Sequence, residues 1–196
     1  MKKLKTTVSS TFIGAALLAI SGAAAAAPVT LSNFSSSQPD RFVIPSGDLI
    51  GSIFDLPLLN FKVTQNVISD TLSFLMTAAP GEIIREVILR EEGNLTLIGI
   101  GLASATGEIT VNGISKTAGN FFLFSSGGTS TFGFENSGSA LFNFSEADNI
   151  TSAIVTISNS ISAGAQNGGT IEKTLAKVSV TTSLAAPVPP PPLPGC

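Results

Sequence analysis

Residues 82–100 read EIIREVILREEGNLTLIGI, and the periodicity of this stretch decides which fold class is predicted. Its first apolar residues fall at the spacing of one helix face: Ile83, Ile84, Val87 and Ile88. The stretch is also rich in β-branched residues, and after Glu92-Gly93-Asn94 it alternates like a strand. We therefore predict a β-hairpin that turns at Glu92-Gly93-Asn94, with a helix over 82–91 as the alternative.

Strand-like patterns continue on both sides of this stretch. In residues 71–77, Leu72, Phe74 and Met76 fall on one face at a period of two. Residues 170–180 fit a helix at first, but they end in an alternating run. We predict that they form the last strand of the domain.

Turn-forming residues separate the apolar runs. They occur at Pro80-Gly81, Glu92-Gly93-Asn94, Asn112-Gly113, Gly127-Gly128, Ser137-Gly138 and Gly168-Gly169. This spacing predicts about nine or ten short strands and no long helix. The predicted fold class is all-β: a single antiparallel β-sandwich or jelly-roll-like domain, with an extended N-terminal arm and a proline-rich C-terminal tail.

The two ends of the chain differ in composition from its middle. The sequence begins with MKKLK, a basic start, and an apolar run leads to the small residues 23–27. This pattern predicts a secretory signal peptide over 1–26, with an uncleaved membrane anchor as the alternative. The β-sandwich domain is then expected over 27–184, followed by a proline-rich linker or sorting-signal remnant over 185–196, because consecutive prolines supply no amide donors.

The composition argues against several classes of function. Removal of the signal peptide leaves 7 of the 10 basic residues against 13 acidic ones, a net charge near −6. A chain with this charge is not expected to bind nucleic acid. The sequence contains no His, so the commonest general base and transition-metal ligand is absent. We predict that the protein is not an enzyme and needs no cofactor.

Acidic residues provide the remaining candidate chemistry. We expect Glu91 and Glu92 to be solvated at the predicted turn. Glu146, Asp148 and Asn149 carry side-chain oxygens of the kind that bind Ca²⁺, and we name them as a candidate calcium site. An acidic strand connection is the alternative, because these residues lack the spacing of a dedicated calcium loop.

The N-terminal arm and the C-terminal tail provide candidate interaction segments. Val29, Leu31 and Phe34 belong to an alternating run that can add a strand to the sheet edge of a neighbour. The candidate sorting or anchoring residues lie in the tail: Pro187, Pro189, Pro194 and Cys196. Cys196 is the single cysteine of the chain, so no disulfide can form within it.

The signal peptide, the Ser/Thr/Gly-rich β-domain and the ending VSVTTSLAAPVP at 178–189 together resemble bacterial proteins with a PEP-CTERM or VPLPA-type sorting signal. The stretch VILREEGNLTLIG at 87–99 resembles a pattern frequent in that family. In the family, a hydrophobic helix and a basic cluster follow the proline motif, and this sequence contains neither. The resemblance implies an exported surface or extracellular-matrix protein, and an exosortase-like protease as a partner if the tail continues.

These observations lead to one expected function and two alternatives. We expect an exported, non-enzymatic β-sandwich protein of the cell surface or biofilm matrix, which acts in interaction or assembly. Its partners would be other surface or matrix proteins, polysaccharide, or further copies of itself. The alternatives are a self-assembling fibre subunit that exchanges its N-terminal arm, and a carbohydrate-binding or carbohydrate-active protein that uses Asp and Glu.

Overall fold

A computed structural model of the chain describes residues 27–38, 40–165 and 169–186. These residues form antiparallel β-strands and one short 3-10 turn, and the all-β prediction is confirmed. The strands are β1 (Val29–Ser36), β2 (Leu49–Gly51), β3 (Ile53–Pro57), β4 (Lys62–Val63), β5 (Val67–Thr77), β6 (Glu82–Val111), β7 (Ile114–Asn143), β8 (Ser152–Ala165) and β9 (Gly169–Leu184). Within these ranges no helix has the length and hydropathy needed to span a membrane.

The fold is organised around one long hairpin. β6 and β7 are 30 residues each, and they pair from Val111↔Ile114 at the turn to Glu86↔Asn143 at the far end. Their connection is the predicted turn at Asn112-Gly113. The prediction of short strands is wrong for this pair, which is several times longer than an average strand.

The second edge of β6 pairs with two different strands. Residues 82–97 of β6 pair with β9, and residues 101–111 pair with β8. All nine strands belong to one hydrogen-bonded sheet, whose order is β2-β1-β5-β8-β6-β9-β3, with β4 on β9 and β7 on β6. We call its part formed by β2, β1, β5, β8 and residues 101–111 of β6 the first sheet. We call the part formed by β9, β3, β4 and residues 82–97 of β6 the second sheet. The long hairpin thus belongs to both layers of a nearly closed sandwich, which accounts for a single continuous core.

The hairpin passes from one layer to the other at three glycines. Gly99 lies in β6 with a φ of 73°, and opposite it Gly127 and Gly128 have φ values of 149° and 82°. The pairing register shifts at this point, between Ile98 and Ile100. Residues with a Cβ are disfavoured at such positive φ values. The turn predicted at Gly127-Gly128 is therefore wrong, and these glycines form a bulge inside β7.

The predicted turn at Glu92-Gly93-Asn94 is also wrong. These residues continue β6, and they pair with β7 on one side and β9 on the other, with only a register shift between Glu92 and Gly93. Because the segment pairs on both sides, its backbone N–H and C=O groups have partners on two neighbouring strands, which a local turn would not supply. The strand pairing of these residues also excludes the alternative of a helix over 82–91. Ser137-Gly138 likewise lies within β7, whereas Pro80-Gly81 forms the predicted turn.

The remaining predicted elements are mostly confirmed. Residues 170–180 lie in β9, and Leu72, Phe74 and Met76 are buried on the inner face of β5. The predicted turn at Gly168-Gly169 cannot be compared in full, because Gly168 lies outside the described residues and Gly169 begins β9.

The N-terminal segment is part of the sheet. β1 lies between β2 and β5, and it pairs with β5 from Thr30↔Thr77 to Ser36↔Leu72. The expected extended arm is therefore an internal strand of the chain's own fold.

Candidate functional site

The candidate calcium residues lie in the 3-10 turn between β7 and β8, which spans Glu146–Asp148. Oδ2 of Asp148 accepts hydrogen bonds from the backbone N–H of Ser145 at 2.6 Å and from its hydroxyl at 2.9 Å. Asn149 follows in the left-handed conformation. Among the residues that the structure describes, no three His, Cys, Asp or Glu side chains are grouped so that they could hold a metal ion. Asp148 therefore forms a capping interaction with Ser145, which is the N-cap residue of this turn.

The candidate assembly residues are occupied within the chain itself. Val29 and Leu31 are fully buried, and the ring of Phe34 lies 5.5 Å from that of Phe74, centroid to centroid. Donation of this strand to a neighbour would require β1 to leave the core. Residues 1–26, which we predicted to be a signal peptide, and the candidate sorting residues Pro187, Pro189, Pro194 and Cys196 lie outside the described ranges.

One long strand edge stands out at the other side of the molecule. Among the described strands, β7 pairs with β6 alone, so most of its second edge has no strand partner for its backbone N–H and C=O groups. Near the two ends of β7, Lys116 Nζ donates a hydrogen bond to the carbonyl of Leu141. The other outer strands are much shorter: β2 has 3 residues, β4 has 2, and β3 has 5 and ends at Pro57. In β7 only Lys116 and Glu135 are charged. The edge therefore lacks the row of charges that often prevents edge-to-edge pairing, and bulges are the protective feature that it does have.

Bulges divide this edge into regular runs. β7 has extra residues relative to β6 at 118–119, 127–128 and 137–139. Between the first two bulges lies the run 120–126, NFFLFSS, which is uncharged and rich in aromatic residues. Phe121 and Leu123 pack against the core, whereas Phe122 and Phe124 are 65% and 62% exposed. Short, uncharged segments of high β-propensity such as this one favour strand pairing between chains.

Further exposed apolar side chains lie beside this run. Leu102 is the register partner of Phe124, and Ile98 and Ile100 continue along β6 towards the bend. We call these three residues, with Phe122 and Phe124, the apolar patch; each is more than 40% exposed. Contiguous exposed apolar surface next to an open edge is a feature of interaction sites.

A polar groove of about 300 Å³ crosses the outer face of the first sheet. Except for Gly107, every lining residue carries a hydroxyl, amide or carboxylate group: Ser69, Asp70, Thr71, Thr106, Glu108, Thr117, Asn120, Ser158, Asn159 and Ser160. The groove is therefore suited to a ligand with many hydroxyl groups.

The interior contains a polar cluster of a different kind. Lys173 on β9 and Glu91 on β6 are fully buried, and Lys173 Nζ donates to Glu91 Oε2 at 2.8 Å. The same Nζ donates to Asn159 Oδ1 on β8 at 2.8 Å and to the carbonyl of Thr106 at 2.8 Å. We call Glu91, Lys173 and Asn159 the buried triad. It joins the two layers, since β8 and Thr106 belong to the first sheet and β9 to the second.

Two features describe the environment of the triad. A Cβ built on Gly107 would lie 1.7 Å from Glu91 Oε2, so the carboxylate occupies space that only a glycine leaves open. Burial lowers the pKa of Lys173 below its ordinary value of 10.5, while the charge of Glu91 and its hydrogen bond act in the opposite direction. Desolvation is the largest of these effects, so the neutral form of the Lys173 amine is more favourable in this site than it would be in water.

The prediction that Glu91 is solvated is wrong, and a signal in the sequence could have corrected it. Glu91 is in phase with Val87, Leu89, Leu95 and Leu97, which are all buried on the inner face of β6. An acid at a core position needs a partner of opposite charge or several donors. Because we predicted a turn at Glu92-Gly93-Asn94, we did not extend the alternation from Val87 and Leu89 through Glu91 to Leu95 and Leu97, and so did not place Glu91 at a core position.

Comparisons with known proteins find only distant structural similarity. No protein-family model and no curated protein matches the sequence. A chain from the infectious bursal disease virus Gt strain has a TM-score of 0.37 at 14% identity; the match covers 71% of this chain and 40% of that one. TmCBM61, solved in complex with β-1,4-galactotriose, has a TM-score of 0.22 at 10% identity, with 78% and 87% covered. A cowpea mosaic virus empty virus-like particle has a TM-score of 0.20 at 14% identity, with 98% and 92% covered. The matches are weak, and the β-sandwich assignment rests on the strands described above.

Proposed function

We propose that this chain is an exported, non-enzymatic protein of the cell surface or extracellular matrix that acts by assembling with other copies of itself through the open edge of β7. The observation that carries the proposal is the uncharged run 120–126 on a strand whose second edge has no partner among the described strands. The basic and apolar start of the sequence supports export.

A second copy of the chain is the partner that this edge fits best. Two β7 edges can pair antiparallel, so that each copy supplies the same backbone donors and acceptors to the other. Phe122 and Phe124 of both copies would then add apolar contacts along the new pair. The scarcity of charge on β7 removes the repulsion that would otherwise oppose such pairing.

The experiment measures the mass of the purified secreted protein by light scattering over a range of concentrations. The wild type should associate as its concentration rises, and the variant Phe122→Lys/Phe124→Lys should remain monomeric. Ile154→Lys is the matched control, because Ile154 is 64% exposed but lies on β8, away from the edge. A wild type that stays monomeric at all concentrations, or a control as defective as the double variant, would contradict the proposal.

Polysaccharide binding is a second candidate, supported by the polar groove on the first sheet. Hydroxyl and amide side chains, with Glu108 among them, can hydrogen-bond the hydroxyl groups of a sugar chain. A glycan-binding assay with the wild type and Glu108→Gln tests this function. Binding that Glu108→Gln leaves unchanged would locate the sugar elsewhere, and no binding by the wild type would eliminate the candidate.

A further inference from the structure

We propose that the buried triad forms a covalent cross-link: Lys173 Nζ attacks the side-chain amide carbon of Asn159, ammonia leaves, and Glu91 transfers the protons. The product is an amide bond between β8 and β9 within one chain. This inference is independent of the proposed assembly function, because it concerns the interior of a single copy.

The reacting atoms are already close together. Lys173 Nζ lies 2.8 Å from Asn159 Oδ1, and Oδ1 is bonded to the amide carbon at about 1.2 Å, so that carbon is at most about 4 Å from Nζ. Productive approach of a nucleophile requires about 3–3.5 Å. A small side-chain movement is therefore enough. The hydrogen bond from Nζ to the carbonyl of Thr106 helps to hold the amine in place.

The environment makes each of the three groups suited to its role. Burial lowers the pKa of Lys173, and only the neutral amine has a lone pair for the attack. Glu91 Oε2 is 2.8 Å from Nζ, within reach for proton transfer. The amide nitrogen Nδ2 of Asn159 is buried and has no hydrogen-bond partner among the described residues, which is unfavourable for an amide that stays intact.

The reaction balances without any further reagent. Glu91 takes one proton from the lysine ammonium, and the amine adds to the amide carbon of Asn159. The carbon–Nδ2 bond breaks as Glu91 passes that proton to Nδ2, and ammonia leaves with three hydrogens. Glu91 then takes up a proton from the forming amide nitrogen and ends as a neutral acid. No oxidant is consumed, and a charged pair inside the core becomes neutral, which removes its desolvation cost.

The cross-link would give the domain a covalent constraint that its cysteine content cannot supply. The chain has one cysteine, so no disulfide can form within it. An amide bond from 159 to 173 would join strands that belong to different layers, and it would resist both reduction and unfolding. Such a constraint is useful to a protein exposed outside the cell.

Tryptic digestion of the purified wild-type protein provides the test. Between Lys116 and Lys177 the sequence has one trypsin site, Lys173, and acylation of this lysine blocks cleavage there. We expect peptide 117–177 at its calculated mass less one ammonia, with fragment ions that join Asn159 to Lys173. Peptides 117–173 and 174–177 at full mass would overturn the proposal. Ammonia loss with normal cleavage after Lys173 would also overturn it, because that pattern indicates a succinimide.

Variants separate the roles of the three residues. Lys173→Met and Asn159→Ala should show no ammonia loss attributable to the cross-link. Glu91→Gln should retain both reacting groups but leave them unlinked; a linked Glu91→Gln protein would contradict the role given to Glu91. Asn159→Asp should lose water and reach the same final mass as the linked wild type. Lys62→Met is the control, because Lys62 forms an exposed ion pair and should not affect the cross-link. The wild-type digest decides the proposal even if a variant does not fold.

Discussion

Asp70 and Glu91 are both buried carboxylates on inner strand faces, but the molecule satisfies them in different ways. Asp70, on β5, accepts hydrogen bonds from uncharged groups of residues 36–38 and from the N–H of Thr71, at 2.6–3.1 Å. Glu91, on β6, forms an ion pair with Lys173, and both side chains are fully buried.

The two carboxylates have different partners because only Asp70 lies next to backbone outside the paired strands. Asp70 lies beside the segment that follows β1, where backbone N–H groups and serine hydroxyls are free to turn towards it. The strands around Glu91 use their backbone groups in ladder pairing. A carboxylate there depends on side chains from other strands. Substitutions can therefore disrupt the Asp70 site and the Glu91 site separately. We expect them to lower the free energy of unfolding by different amounts.

The largest effect is expected for Lys173→Met. Loss of the lysine leaves Glu91 buried without its cation, which costs about 3–5 kcal/mol in comparable buried pairs. In a cross-linked wild type both groups are neutral, and the loss then comes from removal of the covalent constraint instead. Urea denaturation of this variant and of the wild type measures the difference. Lys177→Met is the matched control, since Lys177 pairs with Asp55 at a partly exposed site, and an equal loss in both would contradict a special role for the buried pair.

Gly107→Ala should have the next largest effect. The new Cβ would overlap with Glu91 Oε2 at 1.7 Å, so the carboxylate must move away from Lys173. Overpacking of this kind costs about 1–3 kcal/mol. Thermal unfolding gives the readout, and Gly164→Ala is the control because nothing lies within 4 Å of a Cβ built there. Equal midpoints for the two variants would show that the site can relax.

Asp70→Ala tests the other carboxylate of the comparison. The change leaves the N–H groups of Gln38 and Thr71 without this acceptor, and water can replace it only in part. We expect a loss of about 1–3 kcal/mol. Hydrogen exchange at these two amides should increase, while amides near Glu91 remain protected. Faster exchange at both sites would mean that the two carboxylates belong to one cooperative unit.

The pH dependence of stability distinguishes an ion pair at Lys173 from an amide. In Asn159→Ala, which cannot form the cross-link, Lys173 keeps a pKa lowered by burial, and the unfolded chain holds the proton up to 10.5. The unfolded state then binds more protons in the window just below 10.5, so stability should rise with pH there. In the linked wild type this contribution is absent. Urea midpoints between about pH 8 and 10 check the prediction, and identical slopes would contradict it.

Lys62→Ala should have the smallest effect. Lys62 Nζ is 3.8 Å from Glu172 Oε2, and both side chains are about half exposed. Exposed pairs contribute about 0–1 kcal/mol. The denaturation midpoint should therefore change little, and less than in Lys173→Met. A large loss would mean that the β4–β9 pairing depends on this ion pair.

Period-two patterns predicted much of the fold. The inner face of β5, the last strand and the turns at Pro80-Gly81 and Asn112-Gly113 are local features, and they appear as predicted. The turn at Glu92-Gly93-Asn94 failed because its residues are turn formers by propensity, but in the structure they pair with strands on both sides. The same failure occurred at Gly127-Gly128, where glycine supports a bulge as readily as a turn.

The triad and the open edge were not predictable in this way. Glu91, Asn159 and Lys173 are far apart in the chain, and no short motif connects them. Only the register of β6 with β8 and β9 brings them together. The open edge of β7 likewise depends on which strands find partners.

Taken alone, the sequence determined that the protein is all-β, because alternation and turn-forming residues are local properties that act wherever the chain is placed. It also determined that the chain lacks histidine and cannot form an internal disulfide. Only the tertiary structure decided that one hairpin spans both layers, that Glu91 is buried beside Lys173 and Asn159, and that β7 keeps an open edge. These features arise from pairing between distant segments, whose free energy depends on the whole set of strand contacts.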